Sequence, residues 1–289
     1  MDKSTPELTE HTCKSCGNTF TGLYCNICGE KVIEPKDRSF KTFIGNFLTA
    51  ITLADNRFLK TLWLTIKNPG FLSKEYANGR RVNYIRPLQM FFVLNLVYFL
   101  FPVLQLFSST LKTQMYYVYH SPLVRSMVIG RLTEENMSLA GFSVIYDGKT
   151  TVLAKLLIVV FVWLASLPLS VIFRKKNRYF TDHVALSVEL ACYNIFINAI
   201  LLHLIFFVLS KIFKWSGTTL GDYLNDTTLT IIFISTNLYF IYRAAQTFYG
   251  QTGKRLIFKS ALGVIGIILS LEVYKLLLFF ITFYSIQYR

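Results

Sequence analysis

Four cysteines carry the clearest chemistry in this sequence. Cys13 and Cys16 are separated by two residues, Cys25 and Cys28 repeat that spacing eight residues later, and Gly17 and Gly29 follow each pair. A two-residue spacer turns both thiols of a pair to one side, and the glycine allows the backbone turn that aims amide N–H groups at sulfur. Two such knuckles predict one tetrahedral zinc site with Cys13, Cys16, Cys25 and Cys28 as ligands. With all four places filled by protein, the site is closed to substrate and reads as structural. So small a ribbon has too little core to fold alone, so zinc binding and folding are expected to be one event.

The second group of chemically capable residues lies within apolar stretches, where ionisable side chains are costly. Glu272 and Lys275 stand three apart, about one helical turn, and can pair with each other. His183, Ser187, Asn194 and Asn198 fall on one side of a helix, whereas Glu189, Cys192 and His203 fall on the other, so that helix needs protein partners all round. For Glu189 the favoured partner is an Arg or Lys from the basic segment before the first span. Lys155, near a helix end, can snorkel to the interface.

These residues are set in a chain of 289 residues that is 53% hydrophobic, 16% aromatic and only 16% charged, which is a membrane composition. The residues before Glu10 are polar and contain no apolar h-region, so no cleavable signal peptide is expected. Five stretches predict spans of an α-helical bundle: Pro87–Phe107, Val152–Phe173, Val184–Ser210, Tyr223–Tyr242 and Ser260–Tyr284. The fourth is weakened by Asn225 and Asp226. Thirteen basic residues, within 67–86, 174–178 and 243–259, flank one side of these spans against seven on the other. That bias predicts a cytoplasmic N-terminus and an extracytoplasmic C-terminus. A cytoplasmic ribbon would also keep its thiols reduced.

Three domains follow: a zinc ribbon at 1–36, amphipathic helices and a basic collar at 37–86, and a five-span domain at 87–289. Phe40, Phe43, Ile44, Phe47, Leu48 and Ile51, then Phe58, Leu59, Leu62, Trp63 and Ile66, recur at helical spacing. With Lys41, Arg57, Lys60 and Lys67 beside them, these helices either lie in the headgroup plane or pack on the bundle. The connection 108–150 is too apolar for a linker and is expected to form an ordered extracytoplasmic cap. No internal repeat supports inverted-repeat transport logic.

The segment Asn68-Pro69-Gly70, Lys74-Glu75-Tyr76, Gly79-Arg80-Arg81, Tyr84 and Arg86-Pro87 resembles a bacterial family of uncharacterised membrane proteins with an N-terminal zinc ribbon. Asp182-His183 and Tyr242-Arg243, with Tyr249-Gly250, extend the likeness. The resemblance implies a bacterial inner-membrane location and no known reaction. Further histidines expected after His183 are replaced by Ala185, Ser187 and Glu189, which weakens any metal or haem site there.

Read physically, Lys74, Arg80, Arg81 and Arg86 with Tyr76 and Tyr84 form a basic, aromatic collar suited to lipid headgroups or another anionic ligand. Nucleic acid is not an expected partner, since Lys14 and Lys31 alone accompany the knuckles. The four histidines, His11, His120, His183 and His203, are too scattered for one His-rich site. The leading functional reading is a non-enzymatic adaptor or scaffold whose ribbon docks a cytosolic protein. The alternatives are a transporter or channel using Glu189, Glu272 and Lys275, with homo-oligomerisation compensating for few spans, and a lipid-modifying enzyme drawing on Glu75, Asp182, His183 and Glu189.

Overall fold

A computed structural model describes residues 10–13, 15–29, 56–80, 83–101, 106–174, 178–215 and 226–286. The amphipathic stretch at 40–51, Lys14, Lys31 and Arg81 lie outside the described residues. The chain divides into two compact units, Met1–Asp55 and Asn56–Arg289.

In the first unit, β1 (Glu10–Thr12) pairs antiparallel with β2 (Thr19–Thr21), Glu10 opposite Thr21 and His11 opposite Phe20. Its apolar core is Cys13, Phe20 and Cys25.

The second unit is helical: α1 (Asn56–Lys67), α2 (Phe71–Ala77), α3 (Pro87–Leu100), α4 (Leu111–Tyr116), α5 (Ser121–Glu134), α6 (Leu139–Ile172), α7 (Phe180–Tyr193), α8 (Leu202–Trp215), α9 (Asp226–Thr247) and α10 (Lys254–Ser285). A π-helical segment, Asn194–Leu201, joins α7 to α8 without a break.

Among the described residues, three helices are long and apolar enough to cross a membrane: α6, the α7–π–α8 run over Phe180–Phe213, and α10. The expectation of five spans is corrected in two places. Among the described residues of the stretch at 87–107 the helix covers Pro87–Leu100, 14 residues, and Phe101 turns extended (φ −104, ψ 145) ahead of Pro102, a residue type whose ring disfavours a helical predecessor. The ~21 Å of this helix falls short of the ~30 Å of hydrocarbon. The stretch at 223–242 contributes to α9, 22 residues long, but its threonines, Asn237 and Arg243 dilute the apolar sequence below that of a spanning helix.

The principal seam is α6 against α10. Gly266 lies so close to Pro168 that a Cβ there would come within 2.6 Å of the proline Cβ, and on the side facing α9 one on Gly263 would come within 2.9 Å of Ile241 Cγ2. Small residues thus let the backbones approach, where packing and interhelical hydrogen bonds replace the hydrophobic drive. Two side chains of α10 reach across the seam: Tyr274 OH donates to Ala154 O (2.9 Å), and Ser270 Oγ lies 3.1 Å from Leu164 O as well as 2.8 Å from Gly266 O of its own helix.

Residues 108–150 are ordered. Leu111, Met115, Val124 and Val128 of α4 and α5 bury against Phe142 and Tyr146 of α6 and against Phe279 and Phe283 of α10. Helix α6 begins at Leu139 because Ser138 caps it, its hydroxyl accepting from Gly141 N–H at 3.2 Å. Arg131 ties the assembly to the end of α10 by donating to the carbonyls of Phe283 and Ile286.

Candidate metal centre and intramembrane polar sites

Two equivalent turns build the cysteine cluster. Gly17 N–H donates to Cys13 O and Gly29 N–H to Cys25 O, both at 2.9 Å, and both glycines have positive φ, 75° and 76°. The four Sγ atoms lie within 4.8 Å of one another, with Cys13–Cys28 at 3.4 Å and Cys16–Cys25 at 3.6 Å. A tetrahedron of Zn–S bonds of ~2.3 Å has edges of ~3.8 Å, so the donors fit that ion. Hydrogen bonding from the Cys28 backbone, then from Ile27, against opposing burial, draws the Cys25 thiol down to about 6. The Cys16 backbone likewise lowers the Cys13 thiol. Thiolates prepared in this way are the ligand form.

At the other candidate positions the structure gives specific partners. Glu189, fully buried, meets no cation of the collar among the described residues. Its Oε1 accepts from Gly70 N–H at 2.9 Å, and its Oε2 accepts from Ser73 N–H at 2.8 Å and from the Ser73 hydroxyl. The physical reason is the start of α2. Pro69-Gly70 ends the preceding helix, Gly70 (φ 81°) becomes the N-cap and has no side-chain oxygen to offer, and the exposed N–H groups carry partial positive charge. Glu189 supplies from α7 the acceptor that the glycine lacks. Gly70 is also required sterically, since a Cβ would lie 2.9 Å from Ala244 Cα.

Around this clamp, Arg243 donates to Asn68 Oδ1 (3.1 Å) and Tyr239 OH to Ile66 O (3.2 Å). His183 Nδ1 is hydrogen-bonded to Tyr249 OH at 2.6 Å, and the Tyr249 ring stacks on Phe173 at 4.6 Å. Asp182 accepts from Tyr179 N–H at the start of α7. Ser187 donates to Val162 O, while Cys192 is buried.

Asn194 and Asn198 join a carboxamide network. Asn194 and Asn237 exchange hydrogen bonds at 3.0 Å in both directions, Asn198 donates to Asn194 Oδ1, and Thr236 donates to Asn198 Oδ1. This network fastens the π-helical segment to α9.

Glu272 and Lys275 form an ion pair at 3.1 Å, and the second carboxylate oxygen of Glu272 is buried with no hydrogen-bond partner among the described residues. Nearby, Gln114 donates to Lys275 O and is hydrogen-bonded to His120, whose pKa burial lowers. Lys155 Nζ donates to Phe99 O at 3.2 Å.

Of the collar, Arg80 grips Glu75 through Nε (2.6 Å) and Nη2 (2.5 Å), and that hydrogen bonding lowers the Glu75 carboxyl. Lys74 lies on α2 and Arg86 is exposed at the start of α3.

Residues 55–99 match a family described as a protein of unknown function (DUF3667). No curated protein and no solved structure matches the chain. The matched segment runs from α1 through most of α3, and it contains Gly70 and Ser73, the residues that Glu189 holds from outside it. The ribbon lies outside the match.

Sequence reasoning missed Ser73, Gly70, Asn237 and Tyr249 as partners. A serine three positions after Pro-Gly is a recognisable helix start, but nothing in local spacing connects it to Glu189.

Proposed function

We propose that this protein is a non-enzymatic membrane adaptor or scaffold. In this reading Cys13, Cys16, Cys25 and Cys28 hold a structural zinc ion, the ribbon docks a cytosolic protein, and the helical unit anchors it in a bacterial inner membrane with the N-terminus inside and the C-terminus outside. The observation that carries it is the convergence of four thiols at tetrahedral spacing, which leaves no place on the metal for substrate.

The intramembrane residues support the same reading by their engagement. Glu189 is held by the start of α2, His183 by Tyr249, Asp182 by its own helix start and Glu75 by Arg80, so the residues wanted for lipid chemistry are each bound to a different partner. One observation favours transport as the second reading: the buried oxygen of Glu272, beside Lys275, that has no hydrogen-bond partner among the described residues.

Crosslinking in cells, comparing the full chain with one lacking residues 1–36 at equal membrane insertion, tests the adaptor. A partner lost only with the ribbon supports it. Equal partner lists overturn it and reduce the ribbon to a structural cap, and proton or ion flux abolished by Glu272→Gln overturns it in favour of the second reading.

A further inference from the structure

Helix α1 is two-faced. Phe58, Thr61, Leu62 and Thr65 are buried against the bundle, and the opposite face exposes Arg57, Leu59, Lys60, Trp63 and Lys67. Leu59 is 57% and Trp63 61% exposed, and they share this face with the cations Arg57, Lys60 and Lys67. Cations at both ends with tryptophan and leucine between them are the pattern of an interfacial helix.

The depth of this face follows from two contacts. Ile85 N–H donates to Thr61 Oγ1 at 3.1 Å, which sets the middle of α1 level with residue 85. The outward apolar stripe of α3, Leu88, Phe92 and Leu96, begins three residues later in the chain. Tyr239 OH, donating to Ile66 O, fixes the far end of α1 to α9. The helix is therefore held just outside the level at which lipid-facing apolar surface begins. There Trp63 meets the headgroup layer and the cations meet its phosphates. Lys60 Nζ lies 5.3 Å from the Tyr84 ring centroid, and its side chain is exposed on the same face as Trp63.

We infer that the outer face of α1, formed by Arg57, Leu59, Lys60, Trp63 and Lys67, is a docking surface for the anionic phosphate headgroups of the adjoining bilayer leaflet. This holds whether or not the ribbon binds a protein.

The test uses the full chain with Trp163→Phe and Trp215→Phe, leaving Trp63 as the sole tryptophan, in nanodiscs of phosphatidylcholine with or without phosphatidylglycerol. Lipids brominated near the headgroup are expected to quench Trp63 more than lipids brominated deep in the chain. Brominated phosphatidylglycerol is expected to quench more than brominated phosphatidylcholine at equal mole fraction. Each cation contributes about fivefold enrichment at low salt, so Lys60→Gln and Lys67→Gln reduce the anionic preference stepwise, as does added salt. Inorganic phosphate added to neutral discs is expected to leave the emission unchanged. Absence of quenching, deeper quenching, equal quenching by both lipids, or a response to free phosphate alone would each overturn the inference. The depth and lipid comparisons need no charge variant, so misfolding of one cannot decide the result.

Discussion

Glu189 and Ser73 stand 116 residues apart in sequence, yet the buried carboxylate of one accepts the backbone N–H of the other at 2.8 Å. That bond joins α7 to the segment shared with the family of unknown function, and it makes a helix start depend on a distant side chain.

Removing the acceptor should be costly. Glu189→Ala leaves the N–H groups of Gly70 and Ser73 buried without their acceptor, an expected loss of about 1 to 3 kcal/mol for each. Glu189→Gln retains one acceptor oxygen and should lose less. Thermal unfolding in detergent ranks the two variants; a Glu189→Ala protein as stable as the parent would show that the clamp is unimportant.

Two glycines of nearly equal φ provide a matched comparison. Gly70→Ala places a Cβ 2.9 Å from Ala244, whereas Gly79→Ala at φ 80° meets nothing within 4 Å. Both carry the left-handed cost of about 1 kcal/mol, and Gly70→Ala should add a packing loss of about 1 to 3 kcal/mol. The difference in Tm between the two single variants checks this.

At the α6–α10 seam, Gly266→Val should force Pro168 away, since even a Cβ would lie at 2.6 Å. Overpacking of about 1 to 3 kcal/mol or more is expected, read as a lower Tm with unchanged membrane insertion.

For the ribbon, zinc content by mass spectrometry should be one ion per chain and should vanish in Cys25→Ser. A chelator should remove the ribbon's structure and leave the helical circular dichroism intact. The pH dependence has a definite sign. The Cys25 thiol is depressed from its usual 9.0 to about 6, so its contribution is fully present above 9 and is lost as pH falls through about 6. Zinc affinity in a competition assay should decline over that window; an affinity rising toward acid would contradict thiolate ligation.

How much of this was legible in the sequence varied with the range of the interaction. The knuckles were legible because their geometry is local: two spacers and two glycines determine the turns. The three long apolar helices were legible for a similar reason, although their ends were not. Helix α6 starts at Leu139 rather than Val152 because Ser143, Asp147 and Lys149 interrupt the hydropathy without interrupting the backbone hydrogen bonds. The stretch at 87–107 looked long enough, but its described helix ends at Leu100, ahead of Pro102. Partners of Glu189, Asn194 and His183 were illegible, since each is set by packing of helices tens of residues apart.

The lengths of α6 and α10 have a consequence for the host membrane. At 34 and 32 residues they extend ~50 Å, well beyond a hydrocarbon layer of ~30 Å. A helix with so much surplus reaches across thin and thick bilayers alike, so these two helices should tolerate a wide range of acyl-chain lengths. The 14-residue α3 has no such surplus, and bilayer thickness should be felt first where its outward stripe ends.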